Sequence, residues 1–322
     1  MIKKISILIV LLIALVSFYY WFGLKPVGRG EEKIFVINRG ESILTIAQRL
    51  EKENLIRDKW VFLLYLQLKN RAKKIQAGSF RISPSNSLTQ IVDQLEKGRL
   101  DTWLTVIEGW RREEIAKKAA ERLPIDQSEF VVATRGKEGY LFPDSYLIPV
   151  KTDVEGVVKI LEKNFQKKWR LLQKEAARLK LTQEQIVTLA SLVEREVKFE
   201  QDRPIVAGIL IKRWQAGWPL QVDATIQYAK ANFNCRQSTD DCDWWPRVVK
   251  ADLKIDSPYN TYLYRGLPPT PICNPSLSSL RAVINYQPSD YWFYLSDSSG
   301  KIHFAKTLEE HQLNIKKYID QI

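Results

Sequence analysis

The sequence has few of the residues on which most metal and histidine chemistry depends. Its 322 residues include 2 histidines, His303 and His311, and 3 cysteines. It contains no HExxH pair and no Cys/His cluster with ligand spacing, so a metal site is not expected. No serine or cysteine lies in a nucleophile-elbow motif. If the protein is an enzyme, carboxylates are the first candidates for its chemistry, and neither a metal nor an organic cofactor is predicted.

The composition is that of a folded and strongly basic protein. Hydrophobic residues make up 45% of the chain and charged residues 27%, which is ordinary for a globular protein. The length allows two modest domains plus accessory segments. A formal net charge of +12 indicates an anionic neighbour, which can be nucleic acid, an acidic polymer or an anionic membrane surface.

An uncharged segment follows Lys3 and Lys4 and reaches the length of a membrane span. It runs from Ile5 to Phe22, and its extension to Leu24 provides the roughly 20 residues that cross a bilayer. It ends in aromatic residues, which are typical of membrane interfaces. We expect an uncleaved transmembrane anchor at residues 1–24, because the apolar run is long and no small-x-small cleavage site follows it. A cleaved signal peptide is the alternative.

The charges that flank this segment predict its orientation. The positive-inside rule keeps Lys3 and Lys4 in the cytoplasm, although Lys25, Arg29 and Lys33 on the other flank weaken that prediction. The rest of the chain would then lie outside the cytoplasm. This argues against nucleic acid as a partner and leaves cell-wall polymers and anionic lipid.

The three cysteines allow two interpretations. Cys235 and Cys242 are close enough in sequence for a small disulfide loop in an oxidising compartment, which would leave Cys273 free. Three unpaired thiols are the alternative.

After a linker at residues 25–33, residues 34–98 are predicted to form a small α+β subdomain. Residues 34–37 are predicted to form a strand, Ser42 to cap a helix, Asp58 to precede a second helix, and residues 78–82 to return as a strand. The second helix is predicted to carry four apolar residues on one face: Trp60, Val61, Leu64 and Leu68. This order, with the opening GESILTIA at residues 40–47, resembles a LysM module. That resemblance implies binding to glycans that contain N-acetylglucosamine; a small spacer without sugar affinity is the alternative.

A glutamate-rich turn lies near the middle of the chain, in LASLVERE at residues 189–196. Thr182 and Gln185 have capping-box spacing, so a helix is predicted to begin there and to run through Glu194. Its predicted buried face comprises Ile186, Ala190, Val193 and Val197. Glu194 and Glu196 both lie at the edge of this face, and helical spacing alone does not choose between them.

A carboxyl group held against apolar surface suits acid catalysis. Burial removes solvation from its charged form, which raises the pKa and keeps the group protonated near neutral pH. Cleavage of a glycosidic bond needs such an acid. The alternative is that both glutamates face solvent and pair with Arg195 and Lys198.

The segments that follow carry polar and aromatic residues. Asp202 is predicted to cap a helix from Arg203 to about Gln215, which Gly217 ends. The loops at residues 220–225, 257–262 and 265–275 then combine proline with Tyr, Asn, Gln and Thr. Such loops supply the flat stacking surfaces and amide hydrogen bonds that sugars need.

Taken in order, these segments closely resemble the endolytic murein transglycosylases, the YceG-like family. The matching motifs are EGYLFPDSY at 138–146, ASLVERE at 190–196, LQVDAT at 220–225, YNTY at 259–262, GLPP at 266–269 and YWFY at 291–294. With the anchor and the LysM-like segment, the resemblance covers nearly the whole chain. The departures are Ala224 where the family usually has proline, Thr270 where it commonly has glycine, and an unusual stretch at residues 234–245.

The resemblance implies a fold and a set of site residues. The fold class is α+β, with an N-terminal transmembrane helix, a LysM-like βααβ subdomain and a mixed α/β catalytic domain at residues 99–322. Glu194 is the implied catalytic acid, with Glu196 as a neighbour that tunes it. The predicted substrate-binding residues are Gln221, Asp223, Thr225, Tyr259, Asn260, Thr261, Tyr262 and Asn274.

The implied function is that of a single-pass lytic transglycosylase at the outer face of the cytoplasmic membrane. It would cleave the MurNAc–GlcNAc bond within nascent peptidoglycan strands and leave 1,6-anhydroMurNAc ends. One acid suffices for this reaction, unlike hydrolysis by two carboxylates. The alternatives are a hydrolase of the same bond, using Glu194 with Glu196 or Asp223, and a non-catalytic scaffold that binds glycan. Peptidoglycan synthases are partners implied by the resemblance alone.

Overall fold

The structure, a computed structural model, describes residues 2–235 and 242–319. It divides into two units. The first comprises Met1–Leu104 with Tyr146–Thr152, and the second comprises Thr105–Ser145 with Asp153–Ile322. The boundaries predicted from sequence, at residues 33/34 and 98/99, stay predictions.

The first unit begins with a long apolar helix, α1 (Ile2–Gly23). Its segment Ser6–Gly23 has a mean hydropathy of 2.2, and 6% of that segment is buried inside the protein. By length and composition this helix can cross a membrane, and an N-terminal signal sequence has the same properties.

The strand–helix–helix–strand order predicted for the first unit is confirmed. Its elements are β1 (Lys33–Ile37), α2 (Ile43–Lys52), α3 (Lys59–Leu68) and β2 (Gly78–Ile82). Ser42 and Asp58 cap the two helices as predicted, accepting the backbone N–H groups of Thr45 and Val61. β1 and β2 are antiparallel, with Lys33 opposite Ile82. Kinship with LysM modules stays a prediction.

The predicted apolar face of α3 is wrong at three of its four positions. Val61 is buried, but Trp60 is 62% exposed, Leu64 44% and Leu68 61%. The residues of α3 that enter the core are Val61, Phe62, Tyr65 and Leu66. Because α3 is apolar almost all the way round, its sequence period does not reveal which side meets α2 and the sheet.

Three further elements belong mainly to the first unit: α4 (Leu88–Lys97), β3 (Asp101–Thr105) and β4 (Ser145–Pro149). Ser87 and Gln90 form a capping box at the start of α4. β3 and β4 form a second two-stranded sheet.

The second unit is mainly helical. Its helices are α5 (Arg112–Ala120), α6 (Gln127–Ala133), α7 (Val154–Ala176), α8 (Gln183–Glu196), α9 (Arg203–Gln215), α10 (Asp223–Asn234), α11 (Leu277–Ile284) and α12 (Leu308–Tyr318). Two antiparallel strands, β5 (Phe293–Ser296) and β6 (Ile302–Ala305), precede α12.

Helix α8 lies at the centre of the second unit. The predicted capping box of Thr182 and Gln185 is confirmed, and the predicted buried face has no residue more than 2% exposed. α8 packs against α9, α10 and α11. α9 has its predicted bounds, although the side chain of Asp202 makes no cap hydrogen bond. A buried α8 with acids in its last turn brings those acids to the edge of the core.

The structure joins Cys235, at the end of α10, to Cys242 in a disulfide with a Cα–Cα distance of 5.9 Å. Cys273 is free and buried. The disulfide interpretation of the sequence is therefore the one observed. Residues 236–241, part of the unusual stretch, lie outside the described residues.

Candidate active site

The two glutamates at the end of α8 have different surroundings. They are two residues apart, which separates their side chains by about 200° around the helix axis. Glu194 turns toward α9 and α11, whereas Glu196 turns toward a cavity. The prediction that both acids face solvent beside Arg195 and Lys198 is therefore not what the structure shows.

Both carboxylate oxygens of Glu194 accept hydrogen bonds. Its Oε1 accepts from Arg203 at 3.1 Å, and its Oε2 accepts from the backbone N–H and the hydroxyl of Ser276 at 2.8 and 2.6 Å. The side chains of Glu194 and Arg203 are 6% and 7% exposed. Ser276 is the N-cap of α11, where the helix dipole also favours a negative charge. Through these contacts the Glu194 side chain joins α8 to α9 and α11.

Glu196 is half-buried and opens onto the cavity. Tyr294 donates a hydrogen bond to its Oε2 at 3.1 Å. Burial and then the nearby charge of Asp223 raise the pKa of Glu196 to about 7, against the opposing effects of Tyr294, the Ala224 N–H and Arg213. A carboxyl group with this pKa exists in both protonation states near neutral pH, so it can give and take a proton.

The cavity has a volume of about 690 Å³ and draws its walls from five parts of the second unit. They are the end of α8, the last turns of α9, the segment 221–227, the loop carrying Tyr262, and β5 with α12. A cavity of this size accommodates a ligand of a few hundred daltons, in the range of one or two sugar residues. The side chains that α12 contributes are Leu308, His311 and Ile315, with Ile319 just beyond the helix.

Three of the predicted substrate-binding residues line this cavity: Gln221, Asp223 and Tyr262. The hydroxyl of Tyr262 donates to Asp223 at 2.6 Å, and burial together with this bond raises the pKa of Tyr262, which stays a neutral phenol. Gln221 has a φ of 54°, in the left-handed region that a residue with a side chain rarely adopts. Strain of this kind is common where a backbone is held in place for function.

The other predicted binding residues have framework contacts instead. Four of them are no more than 2% exposed: Thr225, Asn260, Thr261 and Asn274. The hydroxyls of Thr225 and Thr261 lie 3.0 Å apart and tie the segment 221–225 to the Tyr262 loop. Tyr259 bonds through its hydroxyl to Thr270 at 2.8 Å and lies outside the cavity lining.

Asn274 is the clearest case of a framework residue. Its amide oxygen accepts from the N–H groups of Gly139 and Leu141, and its amide nitrogen donates to Glu138 and to the Trp110 carbonyl. With every polar atom used inside the protein, it has none to offer a ligand. Its hydrogen bonds instead hold the loop at residues 265–275 to the segments around Trp110 and Gly139.

The cavity wall includes residues that the sequence did not predict as site residues, among them Arg213, Tyr294 and His311. Arg213 is 5% exposed and donates to the carbonyls of Leu220 and Trp292 at 2.6 and 2.8 Å. Tyr294 lies in the YWFY motif, which was a usable signal. Arg213 lies in α9, which is buried on most sides, and no motif in the sequence pointed to it.

The two histidines differ in position. His311 stacks on Phe293 at a centroid distance of 5.2 Å, and burial followed by the charge of Arg213 lowers its pKa below 6.5. His303 bonds to Asp297 at 2.8 Å and is not among the residues that line the cavity. Among the described residues, no group of three His, Cys, Asp or Glu side chains is arranged to hold a metal ion.

Comparison with known proteins identifies the family of the chain. The sequence profile of the YceG-like family matches residues 35–317. The chain belongs to the YceG-like family. The resemblance inferred from its motifs is thereby confirmed.

Members of this family with curated names are similar over most of the chain. The endolytic murein transglycosylase of Bacillus subtilis (strain 168) is 30% identical, over 92% of this chain and 88% of that protein. The endolytic murein transglycosylase of Streptococcus pneumoniae (strain R6) is 27% identical over 99% of this chain, which spans 66% of that longer protein. A crystal structure of a YceG-like protein from Listeria monocytogenes is 27% identical, with a TM-score of 0.62 over 88% of this chain and 98% of that one.

Proposed function

We propose that this protein is a lytic transglycosylase that cleaves peptidoglycan strands from the outer face of a membrane in which α1 anchors it. The names of its relatives support the substrate and the class of enzyme, a carbon–oxygen lyase acting on polysaccharide. The observation that carries the proposal is the position of Glu196 on the wall of a 690 Å³ cavity, beside Tyr294 and close to Asp223. This setting raises the pKa of its carboxyl group to about 7.

Glu196 is, in this proposal, the catalytic acid in place of Glu194, which the family resemblance favours. The ion pair with Arg203 and the two bonds from Ser276 leave Glu194 no free oxygen directed at a ligand. Glu196 accepts hydrogen bonds from Tyr294 and from the Ala224 N–H, has no ion pair among the described residues, and contributes to the cavity wall. Glu194 then has a structural role, in which it joins α8 to α9 and α11.

The reaction needs one group that gives and then takes a proton. Protonated Glu196 donates to the oxygen that links C1 of MurNAc to the next sugar, and the C1–O bond breaks. The resulting carboxylate removes the proton from the C6 hydroxyl of the same MurNAc, whose oxygen bonds to C1. Water is not consumed, and the product is a 1,6-anhydro ring with Glu196 protonated again.

The neighbouring groups suit the charges that develop. Positive charge at C1 in the transition state is stabilised by the carboxylate of Asp223, which Tyr262 holds in place. That same negative charge helps to keep Glu196 protonated before the reaction. Gln221 and Tyr294 supply polar groups at the wall for sugar hydroxyls.

The decisive experiment compares Glu196→Gln with Glu194→Gln on purified glycan strands. Glutamine keeps the shape and removes the transferable proton, so Glu196→Gln should lower the turnover rate roughly 100-fold to 10,000-fold. Glu194→Gln should lower stability and leave measurable turnover in the folded fraction. A folded but inactive Glu194→Gln beside an active Glu196→Gln would return the catalytic role to Glu194.

The mass of the products separates the proposed lyase from a hydrolase. The pair of Glu196 and Asp223 is also an arrangement that a two-carboxylate hydrolase could use, with water as the nucleophile. Wild-type products should end in 1,6-anhydroMurNAc, lighter by one water than reducing ends. Chiefly reducing ends would establish a hydrolase, and binding without any turnover would establish a scaffold.

A further inference from the structure

An apolar stripe on α3 points away from the core of the first unit. Trp60, Leu64 and Leu68 lie four residues apart, so they follow one side of the helix, and they are 62%, 44% and 61% exposed. Single exposed apolar residues are common on proteins, but three large ones in a row on one helix indicate an interaction surface.

The stripe begins beside the end of α1. Gly23 lies against Val61, where an added Cβ would stand 2.7 Å from the Val61 Cγ2 atom. The hydroxyl of Tyr19 donates to the carboxylate of Asp58. The guanidinium of Arg57 lies 4.5 Å from the ring centroid of Phe22. These contacts hold the start of α3 at the level of the last turns of α1.

The last turns of α1 have the residues of a membrane interface. Tyr19 to Phe22 form an aromatic belt, which in a spanning helix lies at headgroup depth. Asp58 bonds to Tyr19, so Asp58 lies at headgroup depth, and Trp60 follows it by only two residues. Tryptophan is well suited to a membrane interface, because one end of its side chain is apolar and the other is polar.

Basic groups surround this end of the unit. The ammonium of Lys25 lies 4.4 Å from the Trp21 ring centroid, and that of Lys59 lies 5.7 Å from the Trp60 ring centroid. Arg57 lies over Phe22, so Lys25 and Arg57 flank the end of α1, and Lys59, which also pairs with Glu51 at 3.6 Å, flanks the start of the stripe. Apolar residues bordered by basic residues match a bilayer surface that contains anionic lipid.

We propose that Trp60, Leu64 and Leu68 form a second membrane contact, inserted into the interfacial layer of the leaflet at which α1 ends. The bilayer is the occupant because the start of the stripe lies beside the last turns of α1 and shares their aromatic and basic border. The inference rests on the proposed anchoring by α1. It means that the first unit lies against the membrane and is not free on a tether.

Spin labels in the full-length protein, reconstituted in nanodiscs with anionic lipid, test this contact. Cysteine is introduced singly at position 60, 64 or 68 and labelled; Cys235 and Cys242 are bonded and Cys273 is buried, so the new thiol reacts alone. Because the three positions are exposed, the substitutions should leave the fold intact. In the bilayer, each label should collide several-fold more with oxygen, relative to a water-soluble nickel chelate, than a label at exposed Lys174 of α7.

A label at Leu12, in the middle of α1, separates the two proposals. Labels that collide mainly with oxygen, at Leu12 and along the stripe, support both the anchor and the membrane contact. If the Leu12 label collides mainly with oxygen but the stripe labels are accessible to the chelate, the membrane contact is overturned and the anchor is not. A chelate-accessible Leu12 overturns the anchor and the contact together. Stripe labels shielded from both reagents would indicate cover by protein, such as a second copy, and would overturn the contact.

Discussion

The protonation of Glu196 determines the pH range of the proposed reaction. Its pKa is about 7, and the acid must be protonated to donate, so kcat/KM should fall as the pH rises through about 7. Asp223→Asn removes the charge that helps to raise this pKa, and the fall should then begin at a lower pH. The measurement is the pH dependence of kcat/KM on glycan strands.

Asp290→Asn is the control for this shift. Asp290 is 81% exposed and pairs with Lys306, so its replacement should leave the pH profile unchanged. If kcat/KM of Asp223→Asn falls over the same pH range as that of the wild type, the charge of Asp223 does not act on the catalytic acid.

Burial of Glu196 also has a stability cost that depends on pH. In the unfolded chain its pKa is near 4.5, so between about 4.5 and 7 the folded protein keeps a proton that the unfolded chain has lost, and stability falls as the pH rises through this window. Glu196→Gln removes the effect. It should be more stable than the wild type at pH 8, by up to about 3 kcal/mol, and equal to it at pH 4.

Thermal unfolding at the two pH values measures this difference. A melting temperature raised by the same amount at pH 4 and pH 8 would mean that packing, and not titration of Glu196, distinguishes the variant. A gain limited to pH 8 would tie the instability to the carboxyl group that the proposed mechanism uses.

At the scale of elements, Ser276 joins α8, α9 and α11. Its hydroxyl donates to Glu194, accepts the cap bond from the Ser279 N–H at 3.1 Å, and accepts from Arg203 at 3.0 Å. Ser276→Ala removes a helix cap and a donor to a buried carboxylate, so the free energy of unfolding should fall by roughly 2–3 kcal/mol. Urea unfolding gives this value.

Thr182→Ala is the matched control in the same unit. Thr182 caps α8 through the Gln185 N–H but contacts no buried charge among the described residues, so its loss should be about 1 kcal/mol. Equal losses in the two variants would show that the contact with Glu194 adds nothing beyond the cap.

At the scale of the whole molecule, the orientation of the chain in the membrane can be tested directly. Lys3 and Lys4 precede the apolar part of α1, and the positive-inside rule places the bulk of the chain outside the cytoplasm. Protease added to intact spheroplasts should digest the protein to a short stub that an N-terminal tag retains in the membrane. A cytoplasmic protein should stay intact in the same sample, and protection of the whole chain would contradict this topology.

The sequence by itself determined the features that depend on neighbouring residues. Thr182 and Gln185 set the start of α8, Ser42 and Asp58 set those of α2 and α3, and an uncharged run of residues predicted α1. Helix caps and helical periods depend on residues a few positions apart, so they can be recognised from the sequence alone. The order of the motifs along the chain was also enough to identify the family.

Only the tertiary structure distinguishes the surroundings of the two acids at the end of α8. A helical wheel places Glu194 and Glu196 both at an edge of the buried face, and the residues that distinguish them are distant in sequence. Ser276 lies 82 residues from Glu194, and Tyr294 lies 98 residues from Glu196. In the same way, the polar atoms of Asn274 and Thr261 bond to distant loops inside the protein. Trp60 is exposed because the core lies on the other side of α3. Burial and charge at a site are set by groups far apart in the chain, and a local pattern does not contain them.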